Sequence, residues 1–206
     1  MADLDLKKEL KHLYNPPAGQ VTVVDVPPLG YLMIDGAGDP NTSEVYAAAV
    51  EALYTLAYSV RAISKRDGLA FTVMPLEGLW WFDEYPDEPV FLTPEHKARF
   101  KWTMMILQPE HVTAAMVEQA RRDALKKKNL PALESIRFET LHEGTAAQIM
   151  HLGSYAAELP TVTLLHNYIR AHGTLHGLHH EIYLSDPRRV EPDKLKTVIR
   201  QPFRPA

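Results

Sequence analysis

The order of extended and helical segments repeats once along this chain, and that constrains its fold more than any other feature. In the first half, "QVTVVDVPPLGYLMIDGAGDP" reads as two extended pieces broken at Pro27 and Pro28 and closed by a glycine-rich turn. "NTSE" offers Asn41 as an N-cap with Glu44 three residues on. Val45, Ala49, Ala52, Leu53, Leu56 and Val60 then follow at helical spacing, predicting a helix over about 42–65. "LAFTVMPLEGLWWF" and "ARFKWTMMILQP" read as strands joined by the acidic, proline-rich loop "DEYPDEPVFLTPE". From Ile136 the pattern returns: "IRFETLHEGTAAQIMHLGSY" as two extended pieces, "ELPTVTLLHNYIRAHG" as a helix with Pro160 in its first turn, then the strands "HHEIYLSDP" and "DKLKTVIRQPF". The expectation is an α+β fold of two tandem β-α-β-β units related by a pseudo-two-fold axis, within one domain spanning 1–206. Repeat 1 covers about 20–108, a connecting helix capped by Thr113 about 112–128, and repeat 2 about 133–204. Two sheets, each covered on one face by its helix, leave their other faces free to meet, and a ligand cleft is expected between them.

Composition removes several functions. The 206 residues carry a formal net charge of -4, which offers no general attraction to a phosphate backbone, so direct nucleic-acid binding is not expected. The basic run "RRDALKKKN" lacks interleaved aromatics and reads as a solvated helix end. With 0 cysteines there is no disulfide framework, thiolate metal site or cysteine nucleophile. The first residues lack a signal peptide's apolar core and no apolar run is long enough to span a bilayer, so a soluble cytoplasmic protein without membrane contact is expected. Oligomeric state is not legible.

In "HHEIYLSDP", period two places His179, Glu181 and Tyr183 on one face of a strand and His180, Ile182 and Leu184 on the other. The apolar Ile182 and Leu184 face is expected under the helix, which turns Glu181 and Tyr183 toward the cleft. Trp80 and Trp81 lie in the corresponding strand of the first half, so one faces the core and the other the cleft, and Trp102 lies in the partner strand. A carboxylate facing indoles and tyrosines suits flat cationic or polarised aromatic molecules. The plain alternatives are a solvated Glu181 and rings that only fill a core. The histidines of "HNYIRAHGTLHGLHHE" match neither a zincin helix nor a finger, and Gly173 and Gly177 interrupt any helix aligning them, so neither a metal nor another cofactor is expected. "GAGD" is too short for a dinucleotide fingerprint, and Ser154 and Ser185 lack a nucleophile-elbow context.

Together, "DGAGDPN", "LEGLWW", "MHLGSY", "HHEIYLSDP" and "KLKTVIRQPF" resemble the GyrI-like small-molecule-binding family, and specifically its stand-alone branch, over about residues 6–203. The resemblance implies the SOUL/GyrI-like fold, a tandem pair of β-α-β-β units around a central cleft. In drug-responsive regulators of that family, an acidic residue at the position of Glu181 binds cationic aromatic drugs. This sequence has no matching helix-turn-helix, which disfavours such a regulator. Stand-alone members are linked to hydrolysis of cyclopropane-bearing alkylating natural products, a detoxification. By that resemblance Glu181 and Tyr155 would be catalytic. Trp80 or Trp81 would line the site, with Glu77, Trp102, Tyr183 and His179 as further candidates. Sequestration of drugs without turnover, or a gyrase-type protein-interaction module, are the alternatives the same family carries.

Overall fold

Pro27 and Pro28 end β1 (Thr22–Val26) and precede β2 (Leu29–Ala37), because neither can donate an N–H to a ladder. The structure is a computed structural model and describes residues 3–83 and 99–206. The second half repeats the device with β5 (Arg137–Leu141) and β6 (Gly144–Leu152), again five residues followed by nine. There the break falls at His142 and Glu143, and Gly144 takes a left-handed φ of 65° that favours glycine. Two short helices, α1 (Leu6–Glu9) and α2 (Lys11–Tyr14), precede β1. The remaining elements are α3 (Glu44–Arg66), β3 (Glu77–Trp81), β4 (Lys101–Leu107), α4 (Ala114–Leu125), α5 (Leu159–His172), β7 (Gly173–Leu175), β8 (His179–Tyr183) and β9 (Lys196–Pro205). The expected acidic loop lies almost wholly outside the described residues.

The capping residue of α3 differs from the expectation. Ser43 accepts the backbone N–H of Tyr46 at 3.2 Å, while Asn41 spends its amide on Asp39 Oδ1 in the preceding turn. Thr113 caps α4 as expected, accepting from Met116 N.

All strand pairs are antiparallel, in the order β1-β6-β9-β8-β3-β4-β2-β5 with β7 appended to β9. Exchanging β1 with β5, β2 with β6, β3 with β8 and β4 with β9 reproduces that order from its other end. A pseudo-two-fold axis therefore runs between β3 and β8, whose register pairs Gly78 with Glu181.

One expectation about the layers is corrected. Helix α5 buries Val162, Leu165 and Ile169 against Ala147, Ile149, Ile199 and Phe203. Ile199 is the register partner of Glu181, so α5 covers the face that Glu181 is on. Tyr46 of α3 rests on Trp80 and Trp102, which share that face. Both helices thus flank Glu181 instead of covering Ile182. The sheet curls into a half-barrel and buries its other face on itself and on the N-terminal segment, where Ile182, Val198 and Met150 join a core containing Leu13 and Tyr14.

That inner face also encloses a network of charges. His180 Nε2 is 3.0 Å from Glu77 Oε2, and its Nδ1 is 3.0 Å from Glu143 Oε1. Tyr14 donates to Glu77 Oε1 at 2.6 Å. Arg200 donates to Glu143 Oε2 at 3.0 Å, to Gln148 Oε1 at 3.1 Å and to the Leu13 carbonyl at 2.8 Å. Burial opposes charge on His180, but Glu143 and Glu77 override it and hold the imidazolium up to about 9. Burial likewise works against ionised Glu143, yet His180 and Arg200 hold it down to about 2. The His180 contribution is complete below its free value of 6.5 and is lost as pH rises through about 9. The Glu143 contribution is complete above its free value of 4.5 and is lost as pH falls toward about 2. Glu143→Gln leaves two buried cations undercompensated and is expected to cost about 3–5 kcal/mol in urea unfolding. The gap from wild type should be widest between pH 4.5 and 6.5 and narrow on either side; a gap independent of pH would exclude this network as its source.

Candidate functional site

Period two on β8 separates neighbours with different fates. His180 enters the sealed network, while His179, Glu181 and Tyr183 project from the helix-bearing face. The Glu181 side chain is 13% exposed, so it is held by the protein and still reached by solvent. His179 Nε2 lies 3.1 Å from its Oε1, and the Tyr183 hydroxyl donates to its Oε2 at 2.7 Å. Tyr183 in turn accepts the indole N–H of Trp80 at 2.9 Å. This chain of contacts crosses Gly78, which stands directly opposite Glu181. A Cβ added at Gly78 would meet Trp80 Nε1 at 2.8 Å and Met104 Cε at 2.5 Å, so the absence of a side chain is what lets the indole lie there.

Aromatic rings surround this carboxylate. Tyr46 stacks on Trp80 with centroids 6.3 Å apart and meets Trp102 edge-on at 5.2 Å. Tyr155, in the short 3-10 turn before α5, meets Tyr183 edge-on at 5.7 Å. Burial, then the negative charges of Glu158 and Glu181, push the Tyr155 phenol up to about 12, which keeps it a hydrogen-bond donor at neutral pH. Burial and Glu181 raise Tyr46 in the same direction.

A second carboxyl, Glu158, sits at the start of α5 and is 1% exposed. Burial first, and the charge of Glu181 second, push it up to about 10 against an opposing pull from Thr197. It is therefore neutral at pH 7. Behind it on α5 lies His166, which burial and the neighbouring His179 and Arg170 hold down to about 4, so it too is uncharged.

Of the residues singled out in the sequence, Trp80, Tyr155, His179, Glu181 and Tyr183 come together here. Trp102 shares the face but is fully buried beneath Tyr46, with its ring lying across Gly36. The choice between the two tryptophans resolves to Trp80; Trp81 points to the opposite side of β3. Glu77 is not at this site, because its odd position on β3 sends it into the network with His180. Sequence reasoning missed Tyr46, Glu158, Thr197 and His166. Tyr46 and His166 sit on helices whose orientation to the sheet was misjudged, and Glu158, one residue before a helix, looks like an ordinary acid favoured by the dipole. A separate depression of about 390 Å³, lined by Leu4, Leu6, Glu9, Glu110 and His111, shares none of these residues.

A family model described as the GyrI-like small molecule binding domain matches residues 19–204. Among solved structures, an uncharacterized conserved protein from Listeria innocua is 35% identical, superposes with a TM-score of 0.86, and is matched over 98% of this chain and 100% of that one. A protein from the same organism described as a hydrolase is 34% identical, with a TM-score of 0.85 and the same coverage. The C-terminal domain of EcmrR shares the fold alone, at 11% identity and a TM-score of 0.55 over 91% of this chain and 98% of that one. The search of curated proteins gave no match.

Tyr183→Phe removes the donor to Glu181 and the acceptor of the Trp80 N–H at once. Its expected cost is about 1–3 kcal/mol in urea unfolding, with a change in the near-ultraviolet dichroism of Trp80. A variant with unaltered stability and spectrum would show that the hydroxyl does not link the two side chains.

Proposed function

Because the chain belongs to the GyrI-like small-molecule-binding family, we propose that the face of the sheet between α3 and α5 binds hydrophobic or cationic aromatic molecules and hydrolyses reactive, cyclopropane-type alkylators. The observation that carries this reading is the partly exposed Glu181 carboxylate, fixed by His179 and Tyr183 beside the rings of Trp80, Tyr46 and Tyr155. Rings of this kind accept a flat ligand by stacking and a cationic one by cation–π attraction, and the carboxylate supplies the opposite charge. The hydrolase description of a relative 34% identical over nearly the whole chain supports turnover over passive binding.

The chemistry follows from the groups present. A conjugated cyclopropane is opened when water attacks a ring carbon: a C–O bond forms, the strained C–C bond breaks, and its electron pair moves to the conjugated carbonyl oxygen. Glu181 takes the proton that the attacking water loses. A phenol donor, Tyr155, stabilises the oxygen that gains charge. Proton return from Glu181 to that oxygen, through solvent, completes the net addition of one water and restores the carboxylate. No cofactor enters this scheme.

Purified protein incubated with a cyclopropane-bearing alkylator, followed by mass spectrometry, is expected to add the mass of one water. Glu181→Gln should slow that conversion by about 10²–10⁴-fold while its thermal unfolding stays near wild type. Unchanged compound that still raises the melting temperature would replace this reading with sequestration. Equal turnover by wild type and variant would remove Glu181 from the chemistry.

A further inference from the structure

Two carboxyl groups lie on the helix-bearing side of the sheet. Glu181 is partly exposed and receives the Tyr183 hydroxyl and His179. Glu158 is 1% exposed, and its Oε1 has no hydrogen-bond partner among the described residues. They lie near each other: the Glu158 backbone N–H donates to the Tyr155 carbonyl at 3.3 Å, the Tyr155 ring meets Tyr183 edge-on at 5.7 Å, and the Tyr183 hydroxyl is bonded to Glu181. The other groups around them do not compensate a second negative charge. Tyr46, Tyr155 and Trp80 are neutral rings, His166 is uncharged, and Asp186 is held by Arg188 and Arg189. No lysine or arginine among the described residues forms an ion pair with either carboxyl.

We propose that this face takes aromatic cations by proton exchange: Glu158 carries a proton beside Glu181 in the free protein and releases it to solvent when a ligand brings additional positive charge. The proposal rests on the reading of this face as a site for aromatic molecules. Only an O–H bond breaks; the buffer takes the proton, and the ligand cation replaces it as the counter-charge to Glu158. Burial and Glu181 both favour the protonated acid until that replacement arrives, in keeping with its position near 10. The consequence is selectivity by charge. A monocation is already balanced by Glu181, whereas a dication draws on both carboxyls.

Ethidium and propidium share one ring system and differ by one positive charge, which makes them suitable probes. Calorimetric titration at pH 7.5 in phosphate and in Tris, whose ionisation heats differ, reads the protons released. Propidium is expected to release close to one proton and ethidium distinctly less, and Glu158→Gln should abolish release and lower propidium affinity toward that of ethidium. Wild-type affinity for propidium should rise with pH, by at most about tenfold per unit, because release of a proton makes alkaline conditions favour the complex. Binding without proton release, or release that persists in Glu158→Gln, would overturn the exchange and leave the binding reading intact. Binding of neither dye would overturn both. Carboxyl ¹³C NMR of the free protein tests the pair without a ligand. Glu158 should remain protonated above pH 7 and titrate at lower pH in Glu181→Gln, and an unmoved midpoint would refute the coupling.

Discussion

The ionic network of Glu77, His180, Glu143 and Arg200 fixes the middle of the sheet, and the rest of the structure depends on it. It joins β3, β8 and β9 with the segment between β5 and β6, and it ties that sheet to the N-terminal segment through Tyr14 and the Leu13 carbonyl. Buried charges of this kind add little net stability compared with a well-packed apolar core, yet a broken set is costly. What they supply here is register. A slip of one residue on β8 would push Glu181 into the sealed interior and turn His180 out beneath the helices, exchanging every partner of both side chains. Locking His180 inward therefore places Glu181 outward.

Period two in "HHEIY" was enough to see that His179, Glu181 and Tyr183 share a face, and two strands flanking each helix were enough to see the tandem α+β plan. The side on which the helices lie was not legible, because both sides of this strand are substantially buried. A half-barrel dries its inner face by curling, so Ile182 reports burial without reporting what covers it. The same ambiguity misled the reading of Glu77. Motif position suggested a site residue, but it lies three positions before Trp80, and an odd offset on a strand means opposite faces. The pairing of the halves settles both questions, and it is a long-range property that no local pattern contains.

The two faces of the sheet also differ in how completely their polar groups are satisfied. On the inner face both nitrogens of His180, both oxygens of Glu143 and the guanidinium of Arg200 have partners, with the Tyr31 hydroxyl an exception. On the helix-bearing face Glu158 Oε1, His179 Nδ1 and both nitrogens of His166 have none among the described residues. Buried polar atoms without partners are costly in a surface built only for stability. Their concentration on one side, next to the carboxylate bounded by aromatic rings, supports the proposal that this side binds the ligand.

The pseudo-symmetry sharpens this contrast. The axis passes between β3 and β8, and at their Gly78–Glu181 pair the two halves supply opposite things: one a glycine whose missing side chain leaves room for the Trp80 indole, the other a carboxylate. A symmetric pair of acids at this point would set two like charges side by side, and a symmetric pair of glycines would leave no charge. The second acid enters instead from the end of α5, shielded from water, where it can remain neutral until something positive arrives. Divergence of the two halves at their shared axis thus converts a duplicated scaffold into a site with one fixed charge and one adjustable charge.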